Sequence, residues 1–230
     1  FGITGIYKWD ETEACSLEDL LVLPNGKIII AGYEMVGGDA RATLVGLNEN
    51  GTLDIAFGTG GKAGPALTLN QEDGFMCIQL SKDKTKLIAA GLTMGPSDNM
   101  LVASFSLSGG MDIDFGNSGF TEIDLSIGGD EFVNDMAIQP DGKILLAGNS
   151  NGSSAVVRLS DKGEMDTDFN NTGSWTKDIS PANTETLESI KTDSKGRIII
   201  AGYIAKAGQY LPVVARLNSD FGDPTFIHSD

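Results

Sequence analysis

The chain has 32 acidic residues, 16 basic ones and a single histidine, so any chemistry it performs must rest on carboxylates. His228 lies near the end of the chain. A Ser-His-Asp or Cys-His site needs a base held in place by a third group, so a tail residue is the preferred reading. One histidine also excludes a multi-His zinc site. Glycoside hydrolysis needs a paired acid and base; Glu34, Glu131 and Glu185 are the candidates, because they stand outside the acidic turn that recurs along the chain. Calcium would use oxygen clusters, and those on offer are Asp112 with Asp114, Asp166 with Asp168, and the weaker Asn48-Glu49-Asn50-Gly51. None fits the twelve-residue EF-hand loop. Asp54 and Asp223 lack the second aspartate, so turn capping is favoured over metal, and no cofactor is expected.

Two tryptophans complete the inventory. Trp9, beside Tyr7, and Trp175 could stack on sugar rings, but packing between strands is the favoured reading. No glycine-rich loop opens a helix, so there is no phosphate cradle. The cysteines have no metal-type spacing, and a disulfide between them is not indicated. Aligned on Ala-Gly, Cys77 shares a column with Leu20, Met136 and Ile190 and is expected to be a buried small apolar residue. Cys15 falls near the column of Glu131, toward a loop.

The elements that must position these groups repeat. Asp-x-x-Phe recurs at Asp54/Phe57, Asp112/Phe115, Asp166/Phe169 and Asp223/Phe226, and Phe1 is the tail of one more copy. An apolar run ending in Ala-Gly recurs at Ala31-Gly32, Ala90-Gly91, Ala147-Gly148 and Ala201-Gly202. A fixed period of this size is the signature of a repeat architecture, in which units bury their faces against neighbours. One domain over 1–230 is expected, with repeats at approximately 1–56, 57–114, 115–168 and 169–226.

Each unit contains four short strand-like runs. In the third they are Phe120–Leu125, Phe132–Gln139, Lys143–Gly148 and Ser154–Leu159. The first alternates apolar and polar, as a half-buried strand does. The Lys143–Gly148 run is continuously apolar after its lysine, as a strand covered on both faces would be. Asn25-Gly26, Asn50-Gly51 and Asp141-Gly142 suit tight hairpins with both turn residues at positive φ. After each motif Phe come Gly2, Gly58, Gly116 and then Asn170, with a second glycine at Gly5, Gly61, Gly119 and Gly173. Asn is the residue that best tolerates the left-handed region after Gly. The motif is therefore a turn that plugs its Phe into the core, capped by the preceding Asp. Four strands per unit and no helical period describe an all-β fold, a β-propeller of four-stranded antiparallel blades.

The run Gln139-Pro140-Asp141-Gly142-Lys143-Ile144-Leu145-Leu146-Ala147-Gly148, followed by Arg158-Leu159, Gly163, Met165-Asp166 and Phe169, resembles the delta-60 repeat. That family resembles β-propeller blades and occurs mostly in bacterial proteins, often large. The resemblance covers essentially the whole chain, carries no catalytic residues, and implies an extracellular or cell-surface setting. Repeat 2 departs from it, with Lys82-Asp83-Lys84-Thr85-Lys86 in place of the Pro-Asp-Gly-Lys turn. Repeat 1 has Gly46 where later repeats have Arg158 and Arg216. The first strand, around Gly5 to Trp9, is expected to complete the sheet begun by the last repeat and so remove an exposed edge. The ring could close with four blades, form part of a larger ring, or pair as a homodimer.

The net charge of −16 and a pI near 4.3 repel phosphate backbones and anionic lipids, so nucleic acid is not an expected partner. No apolar run approaches the ~18 residues of a spanning helix, so no membrane insertion is expected. Three functions remain. The favoured one is a non-catalytic binding module with a protein or glycan ligand; the others are a structural scaffold segment and a carbohydrate-active enzyme. The segments after Ala-Gly differ between repeats, at Tyr33-Glu34-Met35, Leu92-Thr93-Met94, Asn149-Ser150-Asn151 and Tyr203-Ile204-Ala205. Variable loops on a constant frame suit a binding face.

Overall fold

The computed structural model describes residues 1, 5–6, 15–65, 72–126, 128–181, 183–217 and 225–227. Tyr7, Trp9, Asp223 and His228 lie outside them.

Four antiparallel sheets of four strands account for these residues. The first blade is β1 (Cys15–Val22), β2 (Ile28–Val36), β3 (Asp39–Leu47) and β4 (Lys62–Ala63). The second is β5 (Glu72–Leu80), β6 (Lys86–Met94), β7 (Asn99–Ser106) and β8 (Phe120–Ile123). The third is β9 (Glu131–Ile138), β10 (Ile144–Ser150), β11 (Ser153–Leu159) and β12 (Ser174–Lys177). The fourth is β13 (Thr184–Thr192), β14 (Ile198–Lys206), β15 (Gln209–Leu217) and β16 (Thr225–Ile227). Each sheet keeps its strands in sequence order, so the run that follows a Phe motif closes the sheet begun before it. β16 fills the outer place of the fourth sheet, pairing Phe226 with Ala215. The chain's own C-terminal segment therefore takes the position expected for the first strand, and Phe226 lies within it.

The continuous apolar runs are the central strands, as their composition requires. The blades pack face to face in sequence. Leu21, Ile29, Ala31, Leu44 and Phe57 meet Phe75, Ile78, Leu87 and Leu101. Ile88, Met100, Val102 and Phe115 meet Val133, Met136, Ile144 and Leu146. Leu145, Val156, Phe169 and Trp175 meet Leu187, Ile190, Ile198 and Ile200. Each of the larger aliphatic and Phe side chains contributes about 1.5–3 kcal/mol on burial, so three seams hold the arc together. The first strands of adjacent blades touch along the inner edge, and among the described residues no close strand contact joins the first blade to the fourth.

The Ala-Gly motif has a steric cause. Every first strand bulges opposite it, between Leu17 and Asp19, Phe75 and Cys77, Val133 and Asp135, and Leu187 and Ser189. The bulge turns a carbonyl onto the glycine. A Cβ on Gly32, Gly91, Gly148 or Gly202 would lie 1.7 to 2.0 Å from the carbonyl oxygen of Ser16, Gly74, Phe132 or Thr186. Only glycine fits there.

The Phe turn forms as its spacing requires. Gly58, Gly116 and Asn170 have φ of 54°, 53° and 52°. Phe57, Phe115 and Phe169 are buried and their N–H groups donate to Asp54, Asp112 and Asp166 carbonyls at 2.9 Å. The ring of Phe57 covers Gly109 of the next blade and that of Phe115 covers Gly163. The Phe1 ring, though exposed, lies against Gly51 as well. The exchange of Gly46, Ser104 and Arg158 leaves this turn unaltered: their N–H groups reach Gly61, Gly119 and Gly173 carbonyls at 3.0, 3.0 and 2.8 Å.

Two sequence expectations are corrected. In the hairpins, Gly26, Gly51 and Gly142 have positive φ but Asn25, Asn50 and Asp141 do not. Those side chains instead cap the turn, accepting from Lys27, Thr52 and Lys143 N–H groups. Cys77 pairs with Ala90, and its column is Asp19, Asp135 and Ser189 rather than Leu20, Met136 and Ile190. The Lys82–Lys86 turn adds one residue: Ser81 N bonds Lys86 O, where Gln139 N bonds Lys143 O. Lys84 takes the left-handed position at φ 59°.

Candidate functional site

The two rims of the arc differ in kind. One carries the Phe turns and the glycine turns, and its charges are used repetitively. Lys27 Nζ lies 2.6 Å from Asp54 Oδ2, Lys86 Nζ 2.5 Å from Asp112 Oδ2, and Lys143 Nζ 2.8 Å from Asp166 Oδ2. Arg158 Nε adds a 2.6 Å contact to Asp166, and its guanidinium stacks 4.9 Å from the Phe169 ring. Burial pushes the Asp166 pKa up, but hydrogen bonds and charge from Lys143 and Arg158 outweigh it and leave it lowered. Asp54 and Asp166 also cap their turns, accepting from Ala56 and Asp168 N–H groups. Thus Asp112 and Asp166 are engaged with lysine, while Asp114 and Asp168 are exposed. Among the described residues no group of three or more His, Cys, Asp or Glu side chains could hold a metal ion.

The opposite rim carries the β2–β3, β6–β7, β10–β11 and β14–β15 hairpins and the start of each inner strand. A column of acids that the sequence reading only half identified lies here. Asp73, Glu131 and Glu185 pair with Thr93, Ser150 and Ile204, each two residues past its Ala-Gly, and Cys15 holds the same column in the first blade. All three acids are buried. Asp73 Oδ2 accepts from Ala42 N of the blade before it at 3.1 Å, with Arg41 Nη1 3.6 Å from Oδ1. Glu185 Oε2 accepts from Ser154 N at 3.4 Å and Ser154 Oγ at 3.0 Å, and Oε1 accepts from Ser180 N. Ala42 and Ser154 are repeat-equivalent, since they pair with Tyr33 and Asn149. Glu131 Oε1 accepts from Ser126 Oγ at 2.7 Å and Ser150 Oγ at 2.8 Å. Burial raises the Asp73 pKa against the Ala42 N–H and Arg41.

The glycosidase candidates are therefore not brought together. Glu34 is bound to Lys62 in the first blade, whereas Glu131 and Glu185 sit at two later seams. Asp73 was missed because its short side chain stands beside a glycine in an apolar run; its register with Glu131 was the available signal. Trp175 is buried between the third and fourth blades, so it packs rather than presenting a ring face. Cys77 is buried and free, and burial raises its thiol pKa; Cys15 is exposed and free.

The hairpin tips are where the blades diverge. They are Gly37-Gly38, Gly95–Asp98, Asn151-Gly152 and Ala207-Gly208. At the second tip Asp98 N donates to Asp130 Oδ1 at 3.2 Å, and Asp98 O accepts from Glu131 N at 2.7 Å. Burial and the Asp130 charge raise the Asp98 pKa. On the fourth hairpin Tyr203 and Tyr210 pair edge to face with centroids 4.8 Å apart, and Tyr210 is exposed. Outer grooves of about 440 and about 470 Å³ lie between the first and second blades and between the second and third. They use equivalent residues, Gly58 with Gly109 and Gly116 with Gly163, so they belong to the frame.

Residues 23–57, 139–169 and 196–220 match a family described as a domain of unknown function (DUF5122) beta-propeller. These are β-propeller repeats. Among solved structures, the propeller resembles the periplasmic gluconolactonase PpgL of Pseudomonas aeruginosa, at 13% identity and a TM-score of 0.51, over 90% of this chain and 55% of that one. It also aligns with the beta-propeller domain of the Trilobed protease from Pyrococcus furiosus, at 9% identity and a TM-score of 0.48, over 94% of this chain and 57% of that one. The chain thus spans a little over half the length of either. No curated protein matches the sequence. Among the described residues no helix is long and apolar enough to cross a membrane.

Proposed function

We propose that this chain is a non-catalytic binding module built of delta-60-type propeller repeats, with a protein or glycan ligand held on the hairpin rim. The observation that carries this reading is the contrast between the rims. One repeats the same Lys–Asp pairs and Phe turns; the other varies its tips, which are Gly-Gly, Asn-Gly and Ala-Gly in three blades and the longer Gly95–Asp98 in the second. A frame that fixes one rim and frees the other suits recognition. The acids that proton-transfer chemistry would need are engaged in hydrogen bonds at the seams, as Asp73 and Glu185 show, which favours a non-catalytic role. The setting proposed is extracellular or on the cell surface, on the repeat resemblance. A scaffold role is the second reading, favoured by the apolar faces that the terminal blades leave open.

The test is binding to a glycan array and to a panel of purified surface proteins. Tyr210→Ser and Asp98→Asn, both on the hairpin rim, should abolish a signal that Asp161→Asn on the opposite rim leaves intact. A signal sensitive only to Asp161→Asn, or no signal at all, would defeat the reading.

A further inference from the structure

The seams between blades are of two kinds, and they alternate. At the first–second and third–fourth seams an aspartate crosses: Asp19 Oδ2 accepts from Ile78 N and Asp135 Oδ2 from Ile190 N, both at 2.9 Å. Two residues on, the side chain facing the next blade is apolar, Leu21 or Ala137. The second–third seam differs in both columns. Cys77 stands in the aspartate column, and Gln79 replaces the apolar residue and donates from Nε2 to Met136 O at 2.5 Å. Met136 N is capped instead by its own neighbour, Asp135 Oδ1, at 2.8 Å.

The free ends continue this alternation. The fourth blade has Ser189 in the aspartate column and Lys191 in the glutamine column. Both reach back to Asp135 of the third blade, Ser189 Oγ at 2.9 Å and Lys191 Nζ at 2.8 Å. Lys191 stays largely exposed, so a lysine donor stands where the second blade has Gln79. The first blade caps Leu20 N with its own Asp19 Oδ1 at 2.8 Å, as the third blade caps Met136. Leu20 O then stands where Met136 O accepts.

A third column agrees. Where Ala42 N and Ser154 N donate to Asp73 and Glu185, the fourth blade has Pro212, paired with Tyr203, which has no N–H. Where those acids sit, the first blade has Cys15. A carboxylate set against Pro212 would lose its donor, and an N–H set against Cys15 would lose its acceptor, each at a desolvation cost. Set against each other, the two ends leave neither group unmet.

Both ends are also apolar and open. Leu17 and Leu20 are 50% and 59% exposed, though their counterparts Phe75, Val133, Leu187, Ile78, Met136 and Ile190 are buried. Val214 is 46% exposed, though Leu44, Val102 and Val156 are buried. Among the described residues, no strand of the first blade packs closely along a strand of the fourth within one chain.

We propose that the fourth blade of one copy packs on the first blade of a second copy. Two copies joined head to tail at both seams close a ring of eight blades, and the two seam types alternate all the way round. The test is the mass of the chain in solution by sedimentation equilibrium over a range of concentrations. The expected mass is twice 24.2 kDa. Leu20→Glu and Val214→Glu alter exposed side chains, so each should keep the wild-type circular dichroism while weakening association by roughly tenfold or more. Mixing the two variants should restore pairing, because one of the two seams in the mixed pair is unaltered. A 24.2 kDa species at every concentration would overturn the proposal and assign the open faces to other blades of a longer polypeptide. A dimer that ignores both variants, or responds to only one, would overturn it as well.

Discussion

Charge placement within a repeat makes opposite demands on two aspartates. Asp166 lies between Lys143 and the buried Arg158, so its carboxylate is held charged and its pKa is lowered from 3.8. A depressed value in the fold means stabilisation that is present above 3.8 and is lost as pH falls through the folded value. Asp166→Asn should cost about 3 kcal/mol at neutral pH, because it strands a buried guanidinium. The urea midpoints of variant and wild type should converge as the pH is taken below 3.8. Asp73 runs the other way. Burial raises its pKa above 3.8, so its contribution is fully present below 3.8 and declines as pH rises through the folded value. Asp73→Asn keeps an oxygen for Ala42 N and should flatten that decline; a steeper one in the same urea series would refute it. The pairing of Asp166 with Lys143 was hidden in the sequence, where the aspartate is visible only as part of a turn. Its turn-capping role was legible, because Asp-x-x-Phe recurs without a second aspartate.

At the scale of the element, local steric rules account for both repeated motifs. Gly148 faces the Phe132 carbonyl across the bulge, with a Cβ due 1.7 Å from the oxygen. Gly148→Ala should cost about 3 kcal/mol, among the larger single-residue losses, read as a drop in melting temperature. Gly152, at a hairpin tip with φ 81° and open space around it, should lose only about 1 kcal/mol on the same change. Asn170 occupies the left-handed position that Gly58 and Gly116 take elsewhere. Asn170→Gly should be neutral within a few tenths of a kcal/mol, whereas Asn170→Ala should lose about 1 kcal/mol. The Gly-to-Asn exchange made that turn readable from residue types alone. The bulge was not readable, because it adds a residue without changing the apolar pattern, and the Lys82–Lys86 turn is longer by one residue, so counting back from Ala-Gly does not place Cys77 in its column.

For the whole molecule, the period and the four runs per repeat were enough to give the sheets, while the partners of the end faces needed the register. Only when Asp19, Cys77, Asp135 and Ser189 are aligned do the alternating seams emerge, and only then do Cys15 and Pro212 become counterparts. That correspondence makes a covalent prediction. At the first–second and third–fourth seams the side chains in the Cys15 column reach the residues equivalent to Pro212, as Asp73 reaches Ala42 and Glu185 reaches Ser154. Pro212→Cys should therefore form a disulfide with Cys15 of a second copy under mild oxidation, giving a dimer on a non-reducing gel. Cys15→Ser in the same background should prevent it, since Cys77 is buried and its raised thiol pKa keeps it unreactive. In the wild type, a thiol reagent should modify Cys15 slowly in the paired state and quickly in Leu20→Glu, with Cys77 untouched in both. Equal Cys15 rates in the two proteins would mean that the first blade's open face is not covered by the second copy, whatever the mass in solution.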